Sequence, residues 1–396
     1  MPPPPPPDLV HDAISEILLR LPPDEPQWLF RAALVCKSWL RTLTGPAFLR
    51  RYRDFHGAPP LLSLVNGEKA IKTGQGRRFI PTTAVPAFLI PESDDTPYAW
   101  PFDCRHGRVL LGMYRSACYL VYDPVTGDRR RVPEQAIGIQ WMLMFRSATA
   151  VFCAAAGCDH LDCHGGPFCL VCVFTDYTRP TTTMSVTMYS SEIGVWSAPV
   201  TLDNVPYVPY SRGPLIGDEI YFALLEAATI VKYDWANNSL SVVKPQPPAM
   251  HDGFVLMEME DHSLGLAGIE DSTLHLWSRR VSLEGIAEWV QCRVIDLEKK
   301  MPMANPSDSA SVVGFAEGVD IIFVSTGVGL FLMELKSGRV RKVSEPGCFF
   351  KILPYMRFYT PGIVLTLAYP LAFFIFAASI YLLSWFWLVN QLLIAI

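Results

Sequence analysis

Residues 9–52 read LVHDAISEILLRLPPDEPQWLFRAALVCKSWLRTLTGPAFLRRY, and the hydrophobic spacing of this stretch decides how the chain is organised. Val10, Ile14, Ile17, Leu18 and Leu21 recur at helical spacing, while Asp12, Glu16 and Arg20 fall off that face. Pro22-Pro23 stops the run, because proline lacks an amide donor and its ring clashes with the preceding turn. Leu29, Ala32, Ala33, Cys36, Leu40 and Leu43 mark a second helical stripe, which Gly45-Pro46 ends. A third helix is expected from Pro46 to Phe55, opening on a proline whose missing amide costs nothing in a first turn. Three small helices of roughly fifty residues cannot bury all of this apolar surface by themselves. The surplus reads as a surface for a partner.

Ile17-Leu18-Leu19-Arg20-Leu21-Pro22, Val35-Cys36-Lys37-Ser38-Trp39 and Pro46-Ala47-Phe48-Leu49 together resemble the F-box in motif, order and spacing. The F-box is the helical module that docks on the Skp adaptor of SCF (Skp–cullin–F-box) ubiquitin ligases. The family usually opens on Leu-Pro, where this chain has Leu9-Val10. The resemblance implies an adaptor-binding module at 9–56, with Leu9, Ile14, Ile17, Leu18, Leu21, Pro22, Leu29 and Val35 as adaptor contacts. Trp39 and Phe48 are expected to hold the helices together.

The rest of the 396-residue chain allows one or two further domains. Half of it is apolar and 18% is charged, so a large core is available. A net charge of −5 excludes a general nucleic-acid binder, which needs a basic footprint, and Arg129-Arg130-Arg131 is too short to supply one. Residues 1–8 form a proline-rich leader, six prolines after Met1, with no basic and then apolar region of a secretory signal. The ten cysteines are therefore expected as thiols or metal ligands, in a cytoplasmic or nuclear setting.

From about residue 60 to residue 358 the helical stripe gives way to short β-branched and aromatic runs punctuated by turns. Arg108–Gly112 and Cys118–Tyr122 lead into the turn Asp123–Gly127. Looser versions follow at Met188–Ser191 before Gly194, Val231–Asp234 before Asn237-Asn238, and Leu332–Leu335 before Gly338. Strands that run into and out of polar turns are hairpins. Their recurrence at about forty residues, or multiples of it, suggests propeller blades. A β-sandwich is the other architecture that fits, and the number of blades is open. Phe102–Leu111, Tyr122–Gly127 and Phe350–Met356 are similar to the F-box-associated β-domains of plant, grass-type F-box proteins. That resemblance implies a domain that captures a protein substrate. The expected fold is thus α+β multidomain: a three-helix F-box, an all-β and propeller-like domain, and a C-terminal hydrophobic helix.

Cys153, Cys158, His160, Cys163, His164, Cys169 and Cys172 form the densest group of metal-ligating residue types. Cys158, His160, Cys163 and His164 offer four ligands from one loop. Their spacing is not that of a paired knuckle, and strand alternation points Cys169 and Cys172 to opposite faces. The expectation is an ordinary loop without metal or other cofactor. Enzyme motifs are missing: there is no glycine-rich phosphate cradle, Gly-x-Ser-x-Gly elbow or His-Glu-x-x-His. Asp94-Asp95 and Glu258, Glu260 and Asp261 read as solvated loops, and His106 beside Arg105 and Asp103 as structural.

No charge occurs after Arg357, and residues 363–396 are long and apolar enough to suggest a transmembrane tail. The basic residues upstream place the folded part on the cytoplasmic side. The function expected is a non-catalytic substrate receptor of an SCF ligase, reaching cullin through the Skp adaptor. A membrane-tethered binding protein outside a ligase and a zinc-stabilised interaction domain are the alternatives.

Overall fold

The structure is a computed structural model that describes residues 11–66, 79–84, 99–113, 116, 118–133, 147–161, 163, 165–176, 182–209, 211–224, 229–244, 254–302 and 310–362. The chain divides into two compact units, one holding residues 1–60 and the segment from Phe358 onward, the other most of Leu61–Arg357.

The first unit contains α1 (His11–Leu19), α2 (Gln27–Ala33), α3 (Lys37–Thr44) and α4 (Pro46–His56). The stripe expected as one helix from Leu29 to Leu43 is two. Cys36 is extended (φ −160°, ψ 164°) and caps α3, while Leu34 closes α2 with hydrogen bonds to Phe30 and Arg31 carbonyls. Val35 and Cys36 are poor helix formers, and the break lets two short helices turn about a common core instead of projecting as one rod. Leu18, Leu29, Leu43, Phe48 and Tyr52 make that core. The Tyr52 hydroxyl donates to the Leu21 carbonyl at 2.8 Å, which fixes the chain where the Pro22-Pro23 stop leaves a carbonyl without a helical partner. Phe358 packs edge-on against Tyr52 and Tyr359 against Phe30, so the segment after the β-domain belongs to this unit.

The second unit is a six-bladed β-propeller, each blade an antiparallel sheet. Blades 1 to 5 begin with the inner strands Ala99–Arg105, Ser147–Cys153, Leu215–Ile216, Phe254–Glu258 and Ser311–Ala316. Blade 6 is made from both ends of the domain: Ile352–Met356 pairs with Leu61–Asn66, which pairs with Phe79–Pro81. This closure removes the free edges that an open sheet would expose. The inner strands are spaced less regularly than the expected forty residues, because the connections between blades differ in length.

Side chains alternate along each strand, so one face of a blade packs on the blade before it and the other on the blade after it. In blade 2, Cys169, Val171 and Val173 join the core shared with blade 3, whereas Leu170 and Cys172 join the core shared with blade 1. The hairpin turns fall where the polar dipeptides stand: Tyr122 pairs with Arg129, and Asp234 with Ser239. Arg129–Arg131 lies on the exposed outer strand of blade 1.

Gly314 marks a close approach between blades 5 and 6. A Cβ there would lie 2.4 Å from the Ile352 carbonyl oxygen, a backbone atom that cannot swing aside. Gly314→Ala is expected to cost about 1–3 kcal/mol, as overpacking of a filled site does. Urea unfolding of the variant checks this, and an unchanged midpoint would show that the ring opens freely at its closure.

Among the described residues no helix is long and apolar enough to cross a membrane. The expected transmembrane tail, residues 363–396, lies outside the described residues, as do the leader and Leu9.

Candidate functional site

In the helical unit the expected partner contacts separate into two groups. Leu18 and Leu29 are each 1% exposed and lie in the core of the helical unit. Ile17 (51% exposed) and Val35 (62%) point to solvent, while Ile14, Leu21 and Pro22 are half-buried. Two residues that the sequence reading passed over, Trp28 and Leu34, are also exposed. Leu34 comes to the surface because the helix breaks there. Its signal in the sequence was its place next to Val35, off the stripe that ends in Leu43. Phe48 is buried and Trp39 half-buried, in keeping with a role between helices.

In the propeller a buried ion network joins residues far apart in sequence. Asp103 and Arg105 stand at the end of the inner strand of blade 1, Arg212 just before blade 3, and Glu317 just after the inner strand of blade 5. Arg105 pairs with Asp103 and reaches both Glu317 oxygens, at 3.0 and 2.9 Å from Nε. Arg212 bridges the same two carboxylates, Nε to Asp103 at 3.0 Å and Nη2 to Glu317 at 2.9 Å. Backbone groups complete the set: Val151 N–H donates to Asp103, Leu215 N–H to Glu317, and Arg212 donates to the Phe315 carbonyl. Four blades are thereby tied to one cluster. Two carboxylates balance two guanidiniums, and each finds hydrogen bonds, which is the condition under which buried charge is tolerated.

Lys351, on the approach to blade 6, donates to the Phe102 carbonyl at 2.7 Å. Burial, with help from Arg212 and Arg105 and against the pull of Asp103, lowers its pKa from 10.5 to about 7. Burial works against the charge on Glu317 too, but Arg105 and Arg212 prevail and hold it at about 2. The two shifts give opposite ends of a pH profile. Between about pH 10 and 7 the unfolded chain binds a proton at Lys351 that the folded chain refuses, so stability falls as pH drops through that window. Glu317 contributes stability above its unfolded value of 4.5 that is lost as pH falls toward 2. Unfolding measured from pH 6 to 10 is expected to show a positive slope of up to about 1.4 kcal/mol per pH unit, which Lys351→Met removes. A slope that survives in the variant would assign it to another group.

The turn that follows Arg105 is a two-residue hairpin, His106 (φ 50°) and Gly107 (φ 71°). It puts the His106 ring flat on His160, with centroids 4.2 Å apart, and its Nδ1 accepts the Cys153 N–H at 3.0 Å. Burial and the neighbouring His160 lower the His106 pKa to about 3, so it is a neutral acceptor. Of the four loop ligands weighed from the sequence, Cys158, His160 and Cys163 come together, and His164 lies outside the described residues. The fourth member of the cluster is Cys153, from the end of the blade 2 inner strand. The single-loop reading missed it because the loop folds back on the strand it leaves.

The F-box domain model matches residues 6–51, and the family model described as "F-box protein AT5G49610-like, beta-propeller" matches residues 102–363. An Arabidopsis thaliana protein described as F-box protein At5g03970 is 21% identical over 382 residues, covering 88% of this chain and 87% of its own. Among solved structures, TolB from Acinetobacter baumannii is 15% identical with a TM-score of 0.38, covering 76% of this chain and 68% of its own. Apo AztD from Citrobacter koseri is 10% identical with a TM-score of 0.37, covering 73% and 88%. The propeller model spans well over half of the sequence and follows an F-box, so the chain belongs to the plant F-box proteins with an AT5G49610-like β-propeller.

Proposed function

From that membership we propose that the chain is the substrate-recognition subunit of an SCF ubiquitin ligase. The observation that carries the proposal is the pairing of an F-box with a separate, closed β-propeller in one chain. In this reading the helical unit docks a Skp-type adaptor and, through it, cullin. Ile14, Ile17, Leu21, Pro22 and Val35 supply contacts, joined by the exposed Trp28 and Leu34. Leu9 belongs to the same expected set, and Leu18 and Leu29 support it from below. The propeller holds a protein target, and catalysis comes from the conjugating enzyme through proximity, so the chain itself is non-catalytic. Co-expression of the full chain with a Skp-type adaptor tests this. A stable complex on size exclusion is expected, and a folded chain that elutes without adaptor overturns the ligase reading.

The uncharged run at 363–396 favours a second reading for location, in which the cytoplasm-facing protein is anchored to a membrane by its tail. Fractionation of the full chain against one ending at Gly362 separates this from a cytoplasmic or nuclear receptor. Equal recovery of both in the soluble fraction would rule the anchor out.

A further inference from the structure

We propose that Cys153, Cys158, His160 and Cys163 form a structural zinc site that pins the first loop of blade 2. The four ligand atoms lie within 4.8 Å of one another. The Cys158 and Cys163 sulfurs are 3.5 Å apart, and the Cys163 sulfur is 3.5 Å from His160 Nδ1. A tetrahedral zinc with ordinary bond lengths needs edges of about 3.8 Å between sulfurs and about 3.6 Å from sulfur to nitrogen. The cluster is therefore already close to the dimensions of the coordination sphere. Three thiolates and an imidazole also fill all four positions, as in structural sites and unlike catalytic ones, which keep a position open. This donor set selects zinc over the hard cations, which take oxygen ligands.

The backbone is shaped to bring the ligands together. Gly157 (φ 67°), His160 (φ 59°) and Gly165 (φ 70°) adopt the left-handed conformation, which a histidine takes at some cost. The loop thus turns back on the end of the strand that carries Cys153. Neighbouring groups suit an anionic centre. The Ala155 N–H faces the Cys153 sulfur at 3.5 Å, the kind of donor that stabilises a ligating thiolate. Arg108, 5% exposed, donates through Nη2 to the Cys163 and Gly166 carbonyls, and its buried Nη1 has no hydrogen-bond partner among the described residues. A zinc held by three thiolates carries a net charge of about −1, for which this guanidinium is the counter-charge. Asp159 is occupied otherwise, accepting the Leu161 N–H at 3.0 Å.

Two other states of the same atoms are the outcomes that would overturn the proposal. One is a packed group of free thiols, the usual state of buried cysteines. The other is a Cys158–Cys163 disulfide, which requires the sulfurs to close to about 2.05 Å. The experiment is elemental analysis of the full chain, co-expressed with adaptor and purified under reducing conditions without chelator. About one zinc per chain is expected. Cys158→Ser with Cys163→Ser is expected to lower zinc to below about a tenth of that, while Cys292→Ser with Cys348→Ser, which alters exposed cysteines, leaves it unchanged. Should the double variant fold poorly, His160→Asn and cobalt substitution of the native chain take its place. Tetrahedral thiolate cobalt gives strong visible bands and a sulfur charge-transfer band, and both should weaken in His160→Asn. Substoichiometric zinc with all thiols reactive ends the proposal, and so does an intact mass showing the loss of two hydrogens in chain whose thiols are alkylated at lysis before any reductant is added.

Discussion

Glu317→Gln is expected to destabilise the propeller by about 3–5 kcal/mol, the cost of removing one partner from a buried ion pair. Glu317 receives Arg105 through three hydrogen bonds and Arg212 through one. Without its charge, Asp103 alone faces two guanidiniums, and the amide nitrogen of glutamine brings a donor to a place where every neighbour is a donor. The burial cost of the two guanidiniums is then offset by one carboxylate instead of two. Replacing Asp103 by asparagine should act in the same direction, since Val151 N–H and Cys104 N–H both donate to its carboxylate. The two substitutions together are expected to cost less than the sum of their separate effects, because each removes part of one network. Urea unfolding of the single and double variants forms the cycle that checks this. Strict additivity would mean that the two carboxylates act independently, against the shared guanidiniums seen here. The acid limb of the pH profile should also flatten in Glu317→Gln, because the group whose carboxyl is held at about 2 is no longer there.

The local features of this fold were legible because they depend on neighbours in sequence. The turns at Asp123–Gly127 and Asn237-Asn238, the strand around Cys169 and Cys172 with its two faces, and the proline stop after Leu21 all rest on backbone rules that operate over a few residues. The break at Leu34–Cys36 was harder to see, since an unbroken stripe fits the same apolar residues and only packing chooses between them. Features made by closure were not legible at all. Blade 6 exists only when Ile352–Met356 returns to Leu61–Asn66, so counting repeats along the chain cannot find it. The ion network is of the same kind. Asp103 and Arg105 stand out in the sequence only as neighbours of His106, and Arg212 and Glu317 carry no local mark that they will meet them. Cys153 shows the intermediate case. It stood in the cluster of ligand types, yet its assignment to the site needed the loop to fold back on its strand.

The largest effect on binding is expected from Ile17→Asp combined with Val35→Asp in the full chain. Both side chains are exposed, so neither substitution removes packing inside the helical unit, and its unfolding should change by no more than about 0.5 kcal/mol. If these residues sit under the adaptor, each contributes about 1.5–3 kcal/mol of apolar burial, and each new carboxylate would also have to lose water. A loss of 3–6 kcal/mol corresponds to roughly a hundredfold to ten-thousandfold weaker adaptor binding. Leu18→Asp is the informative contrast. Leu18 is 1% exposed, so a carboxylate there should unfold the helices and abolish binding indirectly. Calorimetry with purified adaptor, run beside circular dichroism of each variant, tells the two routes apart. Full affinity in a folded Ile17→Asp, Val35→Asp chain would move the adaptor face elsewhere on the helices. Weak binding with native helicity would place it at the end of α1 and at the break between α2 and α3, where the sequence has more apolar surface than the unit can bury.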